Sequence, residues 1–154
     1  PRLLSFVSAA DEEEVKGASH KAFAALPDVK EAVSALCVLK GVGPATASAV
    51  LAAYAPHIAP FMSDEAMLAA LGSSQDYSLK QYLAFTHKLQ NKAKELNAEV
   101  GSVMEGDNGL FTPSDIERAL WSAAMGAKKL AHVSDSRGRT RPKESDRQSK
   151  RKKS

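Results

Sequence analysis

The stretch of this chain best equipped for chemistry is Leu39-Lys40-Gly41-Val42-Gly43-Pro44-Ala45-Thr46-Ala47-Ser48. Two glycines separated by one apolar residue predict a very tight hairpin between two helices, because glycine takes positive φ without steric cost and lets another backbone come close. Val42 is expected to point inward and set the angle between those helices. The main-chain N–H groups of the bend and of the next helix's first turn then face outward together, at the positive end of its dipole. Such a cluster suits one phosphate group. The donors are backbone amides, so even an acidic body can grip DNA there. The residues expected to form this contact are Lys40, Gly41, Val42, Gly43, Ala45 and Thr46. The alternative is an ordinary interhelical turn whose glycines only permit close packing.

Other reactive side chains are sparse. His57, between Pro56 and Pro60, fits either a phosphate contact or an ordinary loop histidine. His20 and His87 fall in helices with no second ligand at metal spacing, so no metal site is expected. A single cysteine, Cys37, excludes a disulfide within the chain, a four-cysteine iron–sulfur cluster and a multi-cysteine zinc site. It reads as a small core residue. Trp121 is expected to pack, with an exposed partner-binding role as the alternative. No cofactor is expected.

The elements that must position these residues are helical throughout. Asp11-Glu12-Glu13-Glu14 opens a helix running to about Leu26, where Pro27 stops it. Asp28, with Glu31 three residues on, caps a second helix that buries Val29, Ala32, Val33 and Leu36 and is expected to stop at Gly41. Pro44 suits the first position of an alanine-rich helix reaching Tyr54. After a short rigid connection containing Pro56 and Pro60, Ser63 is expected to cap a helix from Asp64 to Leu71, closed by Gly72. A longer helix, about Ser78 to Val100, aligns Leu79, Tyr82, Leu83, Thr86, Leu89, Ala93 and Leu96. Gly101 to Gly109 reads as a loop. Thr112 caps a last helix with Pro113 and Asp115 in its first turn and Ile116, Leu120, Ala123, Ala127 and Leu130 as its buried face. The expected architecture is an all-α bundle over 1–131, followed by a basic tail.

The hairpin residues Leu39, Gly41, Val42, Gly43, Thr46 and Ala47 resemble the helix-hairpin-helix motif, Leu-x-Gly-Val-Gly followed by a small-residue helix containing Thr-Ala. Downstream, Ala-Pro-Phe-Met-Ser leads to Asp64, twenty-one residues after Gly43. Together these stretches, roughly Asp28 to Leu71, resemble the helix-hairpin-helix DNA glycosylase superfamily. The resemblance implies that Asp64 promotes loss of a damaged base from a flipped nucleotide, its carboxylate stabilising positive charge on the sugar or orienting water. Bifunctional members carry a lysine two residues after the second glycine. That position is Ala45 here, so the resemblance implies no Schiff-base chemistry and no strand cleavage through it. Apart from the resemblance, Ser63-Asp64-Glu65 reads as a helix start with an acidic first turn, and Glu65 as solvated.

Charge divides the chain. Residues 132–154 hold nine Lys/Arg against three acids, a net +6, whereas 1–131 hold twelve against fifteen, a net −3. The tail has no large apolar residue after Val133 and is expected to be disordered. It reads as a nuclear-import signal or a nonspecific phosphate-binding arm, with a solubilising end as the bland alternative. Composition is that of a globular protein, 44% hydrophobic and 25% charged, and the longest apolar run is too short for a bilayer. The expectation is therefore a nuclear protein, with no membrane partner, that grips DNA largely without reading sequence. One alternative is a monofunctional glycosylase using Asp64. Another is a nuclear protein–protein adaptor.

Overall fold

The computed structural model describes residues 5–6, 8–72, 76–101 and 111–138, with backbone alone at 101 and 131–138. Six helices follow the short N-terminal segment, and no strand occurs among the described residues. They are α1 (Glu12–Ala25), α2 (Val29–Leu36), α3 (Pro44–Tyr54), α4 (Asp64–Leu71), α5 (Leu79–Gly101) and α6 (Pro113–Gly138).

Local signals set most helix starts. The Asp11 carboxylate accepts the Glu14 N–H at 3.0 Å, and Asp28 accepts that of Glu31 at 3.1 Å. Pro44 occupies the first turn of α3. Thr112 and Asp115 cap α6 reciprocally: Asp115 Oδ2 accepts the Thr112 N–H at 2.8 Å, and Thr112 Oγ1 accepts the Asp115 N–H at 3.2 Å. Gly72, at φ 67°, ends α4 in the left-handed region.

α1 packs on α2, which meets α3 and α5, while α6 closes over α4 and α5. Phe23 of α1 also stacks on Tyr54 of α3, ring centroids 3.8 Å apart. The shared core centres on Val33, Leu51, Met67, Tyr82, Phe85 and Leu89. Tyr82, Thr86, Leu89 and Ala93 of the expected α5 stripe are buried, and Phe85 joins them.

The connection from α3 to α4 is anchored in this core, although Pro56, His57 and Phe61 are exposed. Ala55, Ala59, Pro60, Met62 and Ser63 are all buried. Backbone carbonyls hidden from water need partners, and α5 and α6 supply them. Tyr82 Oη donates to the Pro60 carbonyl at 2.9 Å, and Gln90 Nε2 donates to that of Ile58 at 2.8 Å. Ser114 contributes its hydroxyl to the Ala59 carbonyl and its N–H to that of Pro56, each at 3.3 Å. On the opposite side the Met62 N–H donates to Ser48 Oγ of α3 at 3.0 Å.

Three boundaries differ from expectation. α2 ends at Leu36 rather than Gly41, because tighter turns take over: the Leu39 N–H bonds the Leu36 carbonyl and the Val42 N–H bonds that of Leu39. The apolar stripe of α6 leaves the core after Leu120; Ala123 and Ala127 are exposed and Leu130 is 74% exposed. Beyond Leu120 the reach of α4 includes a polar contact, Glu65 with Lys128, and leaves the apolar positions uncovered, so the sequence periodicity outlasts the surface available to bury it. Finally, α6 continues to Gly138, past the expected start of the tail at His132. Residues 139–154, and the loop expected after Gly101, lie outside the described residues.

Candidate functional site

The hairpin occupies Cys37–Gly43 between α2 and α3, longer than the very tight bend expected. Gly41 has φ 85°, a conformation that only glycine adopts readily. Val42 is half-buried and packs against the core, as expected. Gly43 is extended, with φ −107°, and sits at the N-cap of α3 without a side-chain cap. Among the described residues, the N–H groups of Gly41, Gly43 and Thr46 enter no backbone hydrogen bond, and Ala45 lies in the same uncapped first turn. Gly41 and Thr46 border a groove of about 690 Å³, whose walls also include Leu39, Lys40 and Val42.

The far wall of that groove comes from the N-terminal segment and α1. Phe6 lies directly on Gly41: a Cβ added to the glycine would stand 2.6 Å from Phe6 Cδ2. The Lys40 ammonium sits 5.3 Å from the Phe6 ring centroid, within cation–π range. Lys16, on the same wall, is held by Glu12 at 2.7 Å and Glu13 at 3.2 Å; these carboxylates raise its pKa. Gly41→Ala is expected to cost about 1–2 kcal/mol from the positive φ alone. The clash with Phe6 adds to this, so the loss should shrink when Phe6→Ala is combined with it. Urea denaturation of the two single variants and the double variant checks the difference.

Asp64 is the first residue of α4 and is exposed. Its carboxylate accepts the Tyr77 hydroxyl at 2.8 Å, and that contact raises the Tyr77 pKa. Tyr77 itself adopts φ 51°, rare for a residue with a side chain. Asp64 lines neither the hairpin groove nor the second cavity described below. Glu65, expected to be solvated, is half-buried and paired with Lys128 of α6 at 3.0 Å, which lowers its pKa. His20, His57 and His87 are exposed, and no group of three or more metal-ligating side chains occurs among the described residues. Cys37 is half-buried against the core, and desolvation raises its pKa.

One residue that sequence reasoning passed over stands out. Glu117 is 6% exposed, and Ser63 donates its hydroxyl to Glu117 Oε1 across fifty-four residues of chain. Ser63 therefore stands at the N-cap of α4 without capping it. The only local hint was position: Glu117 falls between Ile116 and Leu120 on the buried side of α6. Burial pushes its carboxyl above the usual glutamate range, opposed by the Ser63 hydroxyl and the Arg118 charge. An acid that holds its proton more tightly when folded favours folding at low pH, and that advantage is lost as the pH rises through the raised value. Glu117→Gln, which can still accept from Ser63, should match the parent chain in acid. It should then become the more stable of the two as the pH climbs from the ordinary glutamate range through the raised value. Thermal melts across that range test this.

No protein-family model, curated protein or solved structure matches the chain.

Proposed function

We propose that the chain binds DNA through its phosphate backbone, using the hairpin and the first turn of α3, with little base specificity and a role in DNA repair in the nucleus. The observation that carries this reading is the uncapped start of α3. There the Gly43 and Thr46 amides have no backbone partner among the described residues, and Thr46 borders an open groove. An anion is the natural complement of such a terminus. Lys40 is exposed beside it and adds a positive charge. The basic segment 139–154 supplies further phosphate contacts and nuclear delivery, so removing it should flatten the fall of affinity with salt. The test is an anisotropy titration of a labelled duplex over a range of salt, comparing the parent chain with hairpin variants and the truncated chain. Equal affinity and equal salt slope in all of them would remove the reading.

A second reading is favoured by one observation. The Met62–Ser48 hydrogen bond ties α3 to the segment that delivers Asp64, so the hairpin and this carboxylate belong to one rigid frame. On this reading the protein is a monofunctional glycosylase and Asp64 assists base release without strand cleavage. Duplexes each carrying one lesion should yield abasic sites with the parent chain and none with Asp64→Asn. A protein–protein adaptor instead would show as partner capture that persists after nuclease treatment and survives hairpin substitution.

A further inference from the structure

A cavity of about 310 Å³ opens beside the start of α4, lined by Phe61, Ser63, Glu117, Arg118 and Trp121. Its volume is at the small end of ligand pockets. Two aromatic side chains stand at its mouth, Phe61 at 41% and Trp121 at 44% exposure, although large apolar rings ordinarily seek burial. The one acidic residue lining it is Glu117, itself more than nine-tenths buried. Oε1 accepts from Ser63, whereas Oε2 has no hydrogen bond among the described residues and is not fully enclosed. Among the described residues no ion pair reaches Glu117 either, although the Arg118 charge acts on it. The adjacent guanidinium of Arg118 bonds Asp115 instead.

Each of these features departs from what stability alone favours. A buried carboxylate is costly unless a cation accompanies it. Ser63 gives up the N-cap bond that its position invites in order to hold this carboxylate. Such broken local rules gather at functional sites. Aromatic faces and a carboxylate attract the same kind of guest, a compact organic cation, because ring quadrupole and negative charge both favour positive charge over a neutral group. We infer that the cavity formed by Phe61, Trp121 and Glu117 is a binding site for an alkylammonium group, either a free amine or the end of a lysine side chain. The aromatic rings flank the cation and Glu117 Oε2 meets its charge. This site is separate from the hairpin and does not depend on the DNA-binding reading.

Trp121 is the only tryptophan in the chain, so its fluorescence reports the site directly. The full chain is titrated at constant ionic strength with n-butylammonium and with tetramethylammonium, and in parallel with butan-1-ol as a neutral match. A saturable fluorescence change is expected with the cations and none with the alcohol. Glu117→Gln should weaken cation binding by about tenfold or more. Phe61→Leu keeps apolar bulk at an exposed position and so tests the site without threatening the fold; it should weaken binding severalfold. Capped lysine amide and its trimethylated form complete the series. Tighter binding of either than of the free amines assigns the site to a lysine side chain, and the reverse order assigns it to a free amine. Equal response to cation and alcohol, or cation affinity unchanged in both variants, would overturn the assignment. So would saturation by nucleosides without any response to the ammonium ions.

Discussion

Replacing Thr46 with Glu is expected to weaken duplex binding by about tenfold or more, a loss of roughly 1.4 kcal/mol, while leaving the fold intact. Thr46 is exposed, borders the hairpin groove and is the third residue of α3. A glutamate at that position is a favourable helix residue, because its charge complements the dipole and its carboxylate can reach back to the N-cap amide. Here that amide belongs to Gly43, one of the groups assigned to the phosphate. The substitution thus occupies the anion site with a tethered anion and repels the incoming one. Stability should stay level or rise by about 0.3–1 kcal/mol, which separates lost contact from lost structure. Thr46→Ser, retaining size and neutrality, should bind as the parent chain does. Undiminished DNA affinity in the glutamate variant would show that the hairpin is not the contact.

Ser48→Ala is the second large effect, an expected loss of about 1–3 kcal/mol of stability. Ser48 is fully buried; its hydroxyl donates to the Ala45 carbonyl at 2.7 Å and accepts the Met62 N–H at 3.0 Å. Alanine leaves a buried N–H with no acceptor, and that penalty outweighs the small gain in apolar surface. The comparison is Ser34→Ala, whose hydroxyl bonds the Lys30 carbonyl on an exposed helix face. It should change stability by less than about 0.5 kcal/mol. Urea denaturation of both variants tests the contrast. If they prove equal, the connection is not held as its hydrogen bonds imply.

The sequence was most readable where cause and effect lie within one helical turn. The caps at Asp28 and Thr112, the first-turn proline at Pro44 and the left-handed stop at Gly72 all have short-range chemistry, and all stand where that chemistry puts them. Val42 turned inward for the same kind of reason. What could not be read depends on partners far along the chain. Ser63 has an ideal capping side chain, yet its hydroxyl goes to Glu117, a residue no local rule would select. Leu130 continues a helical apolar period, but no neighbouring helix arrives to cover it. The connection from Pro56 to Met62 carries two prolines and a histidine, the composition of a surface loop. Its anchoring follows from Tyr82, Gln90 and Ser114, whose polar atoms are spent on its carbonyls. At the candidate site the glycine pattern was legible, whereas the covering of Gly41 by Phe6 was not, because it depends on how the N-terminal segment folds back.

That anchored connection also governs how the molecule can deform. A surface loop between helices works as a hinge, letting the parts on either side swing. This one is bolted on three flanks, by α3, α5 and α6, and so offers no pivot. A push at the hairpin is therefore expected to reach the start of α4, as through a strut. The N-terminal segment over Gly41 and the exposed positions Ala127 and Leu130 of α6 lie outside this bracing.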